Sequence, residues 1–547
     1  MPVFKPFQGV IQEFINSIEP VNATPEDSKL EIQHKEVHYA ESKNIVLPSN
    51  CVRKDYESYV EICIPVSENT NDKQKSFIKA LNVFDVLPSF AHVYFEKRSI
   101  KYLNLVQSTV FDTIFKTSLN SLICAPTGSG KTLIALLAIL QVISKHYNEA
   151  DKILGTDQFK IIYISPMKAL VAEQIRYFQN LFDILFESSK GAINLNVCEM
   201  TGDFSVAESS LHNYQLLICT PEKFDIMMHN SNERMSMALI QLIIFDELHL
   251  LHSPRGPVLE SIITKFIFQK KPVRLIGLSA TLKNYDIVSN FLGISKQKLN
   301  DSINIRPGLF VFGDNFRPVP LNKKLICYND DKDEFDLFLN TVLTYVKTRK
   351  QIIVFTHSRA STSESASALY ENLVKSGRIL DFFNGKIENN PFSEFLTEKS
   401  ANFEDNTLKV LVKYAIAFHH AGLSRNDRDL IESMFFQGHI KLICCTSTLA
   451  WGVNLPAHTV IIKGLEYYNS DQKKIVELND LDILQMFGRA GRPPFDKTGN
   501  GVVLASKKYL YKLVSLLLRQ NDILSKINQF LEMHLLLSVS TRVSRAL

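Results

Sequence analysis

The stretch SLICAPTGSGKTLIALLAIL, Ser121 to Leu140, restricts the fold more than any other part of the chain. A short apolar run, a loop with two glycines and a long apolar run read as strand, turn and helix, the unit of a buried parallel sheet with helices on its faces. Such a loop turns its backbone N–H groups, and the start of the following helix, toward phosphate oxygens. Ala125, Pro126, Thr127, Gly128, Ser129 and Gly130 would form the cradle, Lys131 would meet the β and γ phosphates, and the Thr132 hydroxyl would ligate Mg²⁺. Ala125 stands where the strict pattern has glycine. A plain strand-to-helix turn has the same outline, so the loop alone does not separate a motor from a metabolic kinase or a chance match.

From Ser121 onward, short β-rich runs alternate with helix-length segments: FKIIYIS, QLLICTP, LIIFDE and VRLIGLSAT. The rhythm breaks near INIRPGLFVFGDNFRPVPL and resumes with RKQIIVFTHSR, IKLICCTS, HTVIIKG and GNGVVLAS, which implies a second α/β domain. The expected organisation is a partly ordered extension over 1–100, a nucleotide-binding domain over 101–305, a second α/β domain over 306–515 and a helical tail over 516–547. Within the second domain, residues 377–413 weaken the pattern and read as an insertion or long loop. A formal charge of +4 over 547 residues is close to neutral, so any nucleic-acid surface must be a local groove. Eight cysteines without C-x-x-C spacing read as buried, reduced thiols. The N-terminus lacks the basic region and apolar block of a secretory signal, and no apolar run is long enough for a membrane span. A nuclear or cytoplasmic protein, neither secreted nor membrane-bound, is the expectation.

Two further segments carry chemistry. In LIIFDELHLLHS, Asp246 and Glu247 stand at the carboxyl edge of an expected strand, where ligands bind in open parallel sheets. Asp246 can hold the Mg²⁺ shell and Glu247 can orient or deprotonate an attacking water; an acidic strand end capping a helix is the alternative. The histidine pairs His249 and His252, and His419 and His420, lack partners at zinc-site spacing and read as satisfied polar residues. In DLDILQMFGRAGRP, Arg489 and Arg492 are three apart at the end of a helical pattern, so both can point to one side. A permanently charged, planar guanidinium suits a γ-phosphate in flight, against the commoner fate of a surface ion pair. Together these segments imply a nucleotide cleft between two α/β domains.

In family order, LNLVQS, APTGSGKT, SPMKALVAEQ, MTGDFS, CTPEKFD, the DELH segment, SAT, VFTHSRAST, HHAGLSRNDR, TSTLAWGVNLPAHTVIIKG and QMFGRAGRP resemble the motif set of the DExH-box helicases of superfamily two, in their superkiller-like branch. The likeness runs from about Leu103 to Lys512 and is nearest to the N-terminal cassette of the large two-cassette helicases of the activating signal cointegrator complex and of the spliceosome, which act in ribosome quality control and in splicing. It implies two tandem RecA-like domains that hydrolyse ATP with Mg²⁺ to move along a single strand. Gln107 would read the adenine; Gln485, Arg489 and Arg492 would complete the catalytic set of Lys131, Asp246 and Glu247; His249, Ser279, Thr281 and Gly452 would couple hydrolysis to domain movement. Lys168, Thr201, Gly202 and Thr220 from the first domain, and Ser358, Arg359 and Thr446 from the second, would face the strand, holding phosphate and sugar without reading sequence. The implied partner is single-stranded or partly duplex nucleic acid, with RNA the expected strand, inside a ribonucleoprotein or ribosome-associated complex. A DNA helicase of the same branch and a non-processive ATP-dependent clamp are the alternatives. Ser447 departs from the family's alanine, residues 377–413 do not match it, and the tail is expected to open a further domain.

Overall fold

The computed structural model describes residues 35–37, 45–47, 51–66, 79–148, 153–186, 195–201, 208–229, 238–294, 297–300, 303–383, 390–450, 455–469 and 474–518, apart from single positions such as 254, 270, 448, 479 and 494. Residues 1–51 form a unit of their own, whose described part is an antiparallel ladder between Lys35–Val37 and Ile45–Leu47. The rest of the chain is one compact unit.

That unit begins with a hairpin of Val52–Asp55 (β1) and Tyr59–Ile64 (β2), then the helices Ser89–Lys97 (α1) and Leu105–Lys116 (α2). The first sheet follows: Ser121–Cys124 (β3), Lys160–Ile164 (β4), Val197–Met200 (β5), Leu216–Cys219 (β6), Ile240–Phe245 (β7), Arg274–Ser279 (β8) and Leu309–Val311 (β9). Its seven strands are all parallel, in the order β9-β3-β8-β7-β4-β6-β5. Neighbours along a strand enter different cores, as side chains with a period of two must. Ile123, Ile161 and Tyr163 pack with the helices Lys131–His146 (α3) and Lys168–Phe186 (α4), whereas Leu122, Cys124 and Ile162 face the side covered by residues 256–267. Burial on both faces is why these strands read as unbroken apolar runs.

The second sheet holds Leu321–Tyr328 (β10), Ile352–Thr356 (β11), Ile416–His419 (β12), Leu442–Thr446 (β13), Thr459–Lys463 (β14) and Gly499–Ser506 (β15), in the order β12-β13-β11-β14-β15-β10-β2-β1. The six strands β10 to β15 are parallel, and the hairpin β1–β2 extends the sheet antiparallel to β10. Two parallel sheets flanked by helices are the tandem RecA-like architecture.

Several local expectations are revised. From residue 52 onward, the described part of the N-terminal extension is divided between the two domains. Val60 and Ile62 on alternate positions of β2 are buried in the second sheet, while Val83, Leu87, Ala91, Tyr94 and Phe95 join the first core, with Tyr94 and Tyr177 hydroxyls 2.9 Å apart. The first sheet also takes a strand, β9, from beyond residue 305. Where an insertion or long loop was expected over 377–413, the described residues include two helices: Pro391–Ser400 (α5) and Asn406–Leu411 (α6), capped by Asn390 and Asp405, whose side chains accept the first free backbone N–H groups. Each is short and buries only one or two leucines, Leu396 in α5 and Leu408 and Leu411 in α6, too little apolar repeat to show in sequence. The expected helical tail lies almost wholly outside the described residues. Among the described residues, no helix is long and apolar enough to cross a membrane.

Candidate nucleotide site and nucleic-acid face

The glycine loop leaves β3 buried and re-enters as α3. Gly128 and Gly130 take left-handed φ of 78° and 88°, which lets the chain turn back on itself without a Cβ clash. The loop is held from α2. Asn104 caps that helix reciprocally with Gln107, and Asn104 Nδ2 donates to Ser129 O at 2.8 Å while Gln107 Nε2 donates to Gly130 O at 3.3 Å. The expected adenine reader therefore also props the loop; its amide retains one N–H and one lone pair for another partner. Inside the cradle the Ser129 hydroxyl is buried with no hydrogen-bond partner among the described residues, and Lys131 Nζ folds onto the carbonyls of Ala125 and Pro126, at 3.1 and 3.5 Å. An orphan hydroxyl and a cation parked on its own loop fit an anion that would take both.

Asp246 and Glu247 follow β7, two strands from β3. Asp246 Oδ2 accepts from the Tyr163 hydroxyl of β4 at 2.8 Å, and Oδ1 accepts the Glu247 N–H at 3.0 Å. Burial, and then the charge of Glu247, push the Asp246 carboxyl up to about 7 against the pull of Tyr163 and Lys131. Glu247 lies below its ordinary range: burial opposes its charge, and Lys131, His249, the Gln485 amide and Arg489 outweigh that. Its backbone sits at φ 50°, a left-handed conformation that costs a non-glycine residue on the order of 1 kcal/mol and is retained where the surroundings impose it. The carboxylate of Asp246 and the hydroxyl of Thr132 are hard oxygen donors of the kind Mg²⁺ takes.

The expected coupling residues lie on the neighbouring strand. Ser279 ends β8 and accepts the Ala125 N–H on its carbonyl at 3.0 Å, tying that strand to the glycine loop. His249 Nδ1 accepts from Ala280 N–H at 3.2 Å and lies 3.3 Å from Glu247 Oε2; one ring nitrogen can serve only one of them, so the tautomer links the water-directing carboxylate to the segment that includes Thr281. Gly452 lies outside the described residues.

The second domain reaches this site through Asp480–Gly488 (α7). Gln485 is buried beside Glu247, whose charge its amide favours, and Gly488 is so close to the loop that a Cβ there would lie 2.9 Å from Thr127 Oγ1. Arg489 donates to Ala450 O, its Nε at 3.1 Å, and Glu173 on α4 and Glu247 both favour its charge against burial. Arg492 goes elsewhere. Its Nε and Nη2 grip Asp496 at 2.8 and 3.2 Å and Nη1 donates to Gln351 at 2.7 Å. The expectation that both arginines share one side is thus overturned: α7 stops at Gly488 and Gly491 turns the chain at φ 90°, so helical spacing no longer applies between residues 489 and 492.

The residues expected to face a strand also emerge at carboxyl ends of parallel strands. Lys168 is exposed at the start of α4 after β4, Thr201 follows β5 and donates to Glu199 at 3.3 Å, and Thr220 follows β6; Gly202 lies outside the described residues. The first sheet thus sorts its edge, with the residues expected to bind nucleotide after β3, β8 and β7 and those expected to face a strand after β4, β6 and β5. From the second sheet, Ser358 caps the helix after β11 and accepts Ser361 N–H at 3.0 Å, Arg359 is exposed beside it, and Thr446 ends β13. His419 is held by Glu432 at 3.0 Å, a structural role.

Sequence reading missed Tyr163, Asn104, Glu173 and Arg317. A tyrosine inside an apolar strand needs a partner for its hydroxyl, and Asn three residues before Gln is a capping signature, so the first two were open to detection. Glu173 and Arg317 had no such signal.

Comparison with known proteins agrees with this geometry. The DEAD/DEAH box helicase family model matches residues 104–288, and the helicase conserved C-terminal domain model matches residues 364–494. The U5 small nuclear ribonucleoprotein 200 kDa helicase of Drosophila melanogaster is 38% identical over 502 residues, covering 89% of this chain and 22% of that protein. The activating signal cointegrator 1 complex subunit 3 of Homo sapiens is 38% identical over 519 residues, covering 92% of this chain and 22% of that protein. The chain therefore spans about a fifth of the length of these curated relatives. A solved structure of the DUF1998 helicase MrfA bound to DNA and AMPPNP shares the fold, with a TM-score of 0.56 and 19% identity over 85% of this chain and 56% of that one. With a DEAD/DEAH-box domain, a helicase C-terminal domain and the interdomain contacts in place, the chain belongs to the superkiller-like branch of the DEAD/DEAH-box helicases.

Proposed function

We propose that the chain is an ATP-dependent RNA helicase or translocase that hydrolyses ATP between its two RecA-like domains and moves along a single strand. The observation that carries this reading is the junction itself: Gly488 abuts Thr127 and the Gln485 amide favours the charge of Glu247, so residues from both domains meet at one site.

In this reading the loop amides and Lys131 bind the phosphates, Lys131 leaving the two carbonyls it now covers. Thr132 and Asp246 would hold Mg²⁺, whose chemistry when bound is to neutralise charge on the β and γ phosphates. Tyr163 fixes the Asp246 carboxylate, and Gln485 fixes Glu247, which orients the water and accepts its proton. Arg489, half-buried and with its charge favoured by Glu173 and Glu247, supplies positive charge to the departing phosphoryl group. Arg492 sets the backbone of its turn through Asp496 rather than reaching the site. Change at the γ-phosphate is passed to β8 through His249, and the strand-facing residues of the two sheets separate or approach as the cleft opens and closes. The curated relatives include a protein named for a small nuclear ribonucleoprotein and another for a cointegrator complex, which supports work inside a larger assembly for this chain as well.

The test is steady-state ATPase activity with single-stranded RNA, single-stranded DNA or neither, with Glu247→Gln as control, followed by unwinding of a partly duplex RNA. Stimulation by RNA that Glu247→Gln abolishes is expected. Equal stimulation by DNA would move the substrate to either strand, hydrolysis without unwinding would leave a clamp, and no hydrolysis above the control would refute a motor.

A further inference from the structure

The segment between the two sheets passes directly from the root of the glycine loop to the end of the helix that carries the arginine. Phe312 N–H donates to Cys124 O, the last residue before the loop, at 2.8 Å. Phe312 and Phe316 meet edge to face with centroids 5.1 Å apart; Phe312 belongs to the first domain's core and Phe316, partly buried, packs against it. The next residue, Arg317, belongs to the other side. Its Nη2 donates to the carbonyls of Phe487 at 2.9 Å, Gly488 at 3.4 Å and Ala490 at 2.7 Å, and its Nε closes the turn onto Val319 O at 3.1 Å. Val319 in turn fills the space beside Gly491, where a Cβ would come within 2.6 Å of its Cγ1.

The carbonyls of Phe487 and Gly488 belong to the last turn of α7 and that of Ala490 follows it, where the helix dipole is negative and a cation is favoured; Phe487 O also accepts the Ala490 N–H at 3.1 Å. These carbonyls also bracket Arg489, one residue before and one after it. The head of Arg489 is held by Ala450 O and by the fields of Glu173 and Glu247, whereas the backbone that carries it is held by Arg317. The guanidinium sets Nη2 on these carbonyls while Nε reaches Val319 O; lysine, with a single nitrogen, cannot hold both sides at once.

We infer that Arg317 is a positioning residue for ATP hydrolysis: by gripping the carbonyls on both sides of Arg489 from a segment rooted at the glycine loop, it sets the arginine against the phosphates. This rests on the proposed ATPase function. The loop root and the arginine are joined through the five peptide bonds from Phe312 to Arg317, so the reach of that segment fixes the width of the closed site and transmits movement of one domain to the other.

The experiment compares Arg317→Gln and Arg317→Lys with the unaltered chain in RNA-stimulated ATPase assays, alone and combined with Arg489→Gln, with thermal unfolding measured on each. Displacing a catalytic group by about an ångström costs up to roughly 100-fold, so Arg317→Gln should lower kcat about 10- to 100-fold with the KM for ATP within about 2-fold, and Arg317→Lys should fall between. In the Arg489→Gln background neither change should lower kcat further, because the arginine it serves is gone. If Arg317→Gln fails to fold, Arg317→Lys carries the same comparison. An unchanged kcat, a loss confined to KM, or losses that multiply in the double variant would each overturn the inference. Lack of hydrolysis by the unaltered chain would instead refute the ATPase reading on which it stands.

Discussion

Replacing Gly488 by alanine tests whether the arginine-bearing helix closes directly on the glycine loop. The new methyl group would lie 2.9 Å from Thr127 Oγ1, 3.1 Å from its Cβ and 3.3 Å from its Cγ2. All three atoms belong to a short, β-branched side chain whose rotamers are few, so it cannot swing clear as a long chain could. Comfortable contact begins at about 3.5 Å, and α7 and the loop must therefore separate by about 0.5 Å in the closed site. The substitution does not strain the helix. Gly488 has helical backbone, where alanine is favoured over glycine by up to about 1 kcal/mol. Stability should thus hold or rise while catalysis falls, a combination that simple misfolding cannot produce. Because Arg489 is the next residue, kcat for RNA-stimulated hydrolysis should drop about 10-fold or more with little change in KM. Thr127→Ala in the same chain removes two of the three obstructing atoms and should restore part of the loss. Steady-state ATPase and thermal unfolding on the single and double variants decide the matter. A Gly488→Ala protein with kcat within about 2-fold of the parent would refute the reasoning, because the contact between Gly488 and Thr127 would then not be the one that closes during turnover.

Three further outcomes follow from burial and charge. Tyr163→Phe removes the donor that favours ionised Asp246, so the acid limb of the ATPase pH profile should move to higher pH, by about one unit for a hydrogen bond of about 1.5 kcal/mol to a charged group; an unmoved limb counts against the bond. Arg274 is buried and donates to the carbonyls of Leu119, Ile114 and Thr113 and to Gln141, at 2.8 to 3.1 Å, and burial lowers its pKa to about 10; Arg274→Met leaves the end of α2 without these donors and should cost about 3 kcal/mol, read as a lower midpoint in urea unfolding. Asp496 is pulled down to about 2, burial opposing its charge while Arg492 and Lys350 more than offset it. Since its folded pKa lies below the unfolded value of about 3.9, the stabilisation is complete above that pH and is lost as pH falls toward 2. Asp496→Asn should therefore cost about 2 kcal/mol near neutrality and flatten the loss of stability between about pH 4 and 2, measured by unfolding across that range.

Much of the architecture was open in the sequence because parallel strands buried on both faces leave unbroken apolar runs. Such runs, from SLIC to GNGVVLAS, mark strands of the two sheets, and the glycine loop, the Asp-Glu pair and the GRAGR segment mark the site by their chemistry. Elements that depend on distant partners were not open. The hairpin β1–β2 has meaning only beside β10, β9 only beside β3, and α5 and α6 carry too few apolar residues to announce themselves.

What the sequence determined by itself is the local chemistry: which residues can cradle phosphate, hold a hard cation, direct water or neutralise charge. Tertiary structure decided which of them act together. Helical spacing put Arg489 and Arg492 on one side, yet the end of α7 and the left-handed turn at Gly491 send one toward Glu247 and the other to Asp496. Strand order, set by long crossover connections, placed the residues expected to bind nucleotide and those expected to face a strand on separate halves of one sheet edge. The hold of Arg317 on carbonyls 170 to 173 residues away follows no local pattern at all. Periodicity and spacing report only on neighbours along the chain, whereas the geometry of a shared site is set by packing between segments that the chain keeps far apart.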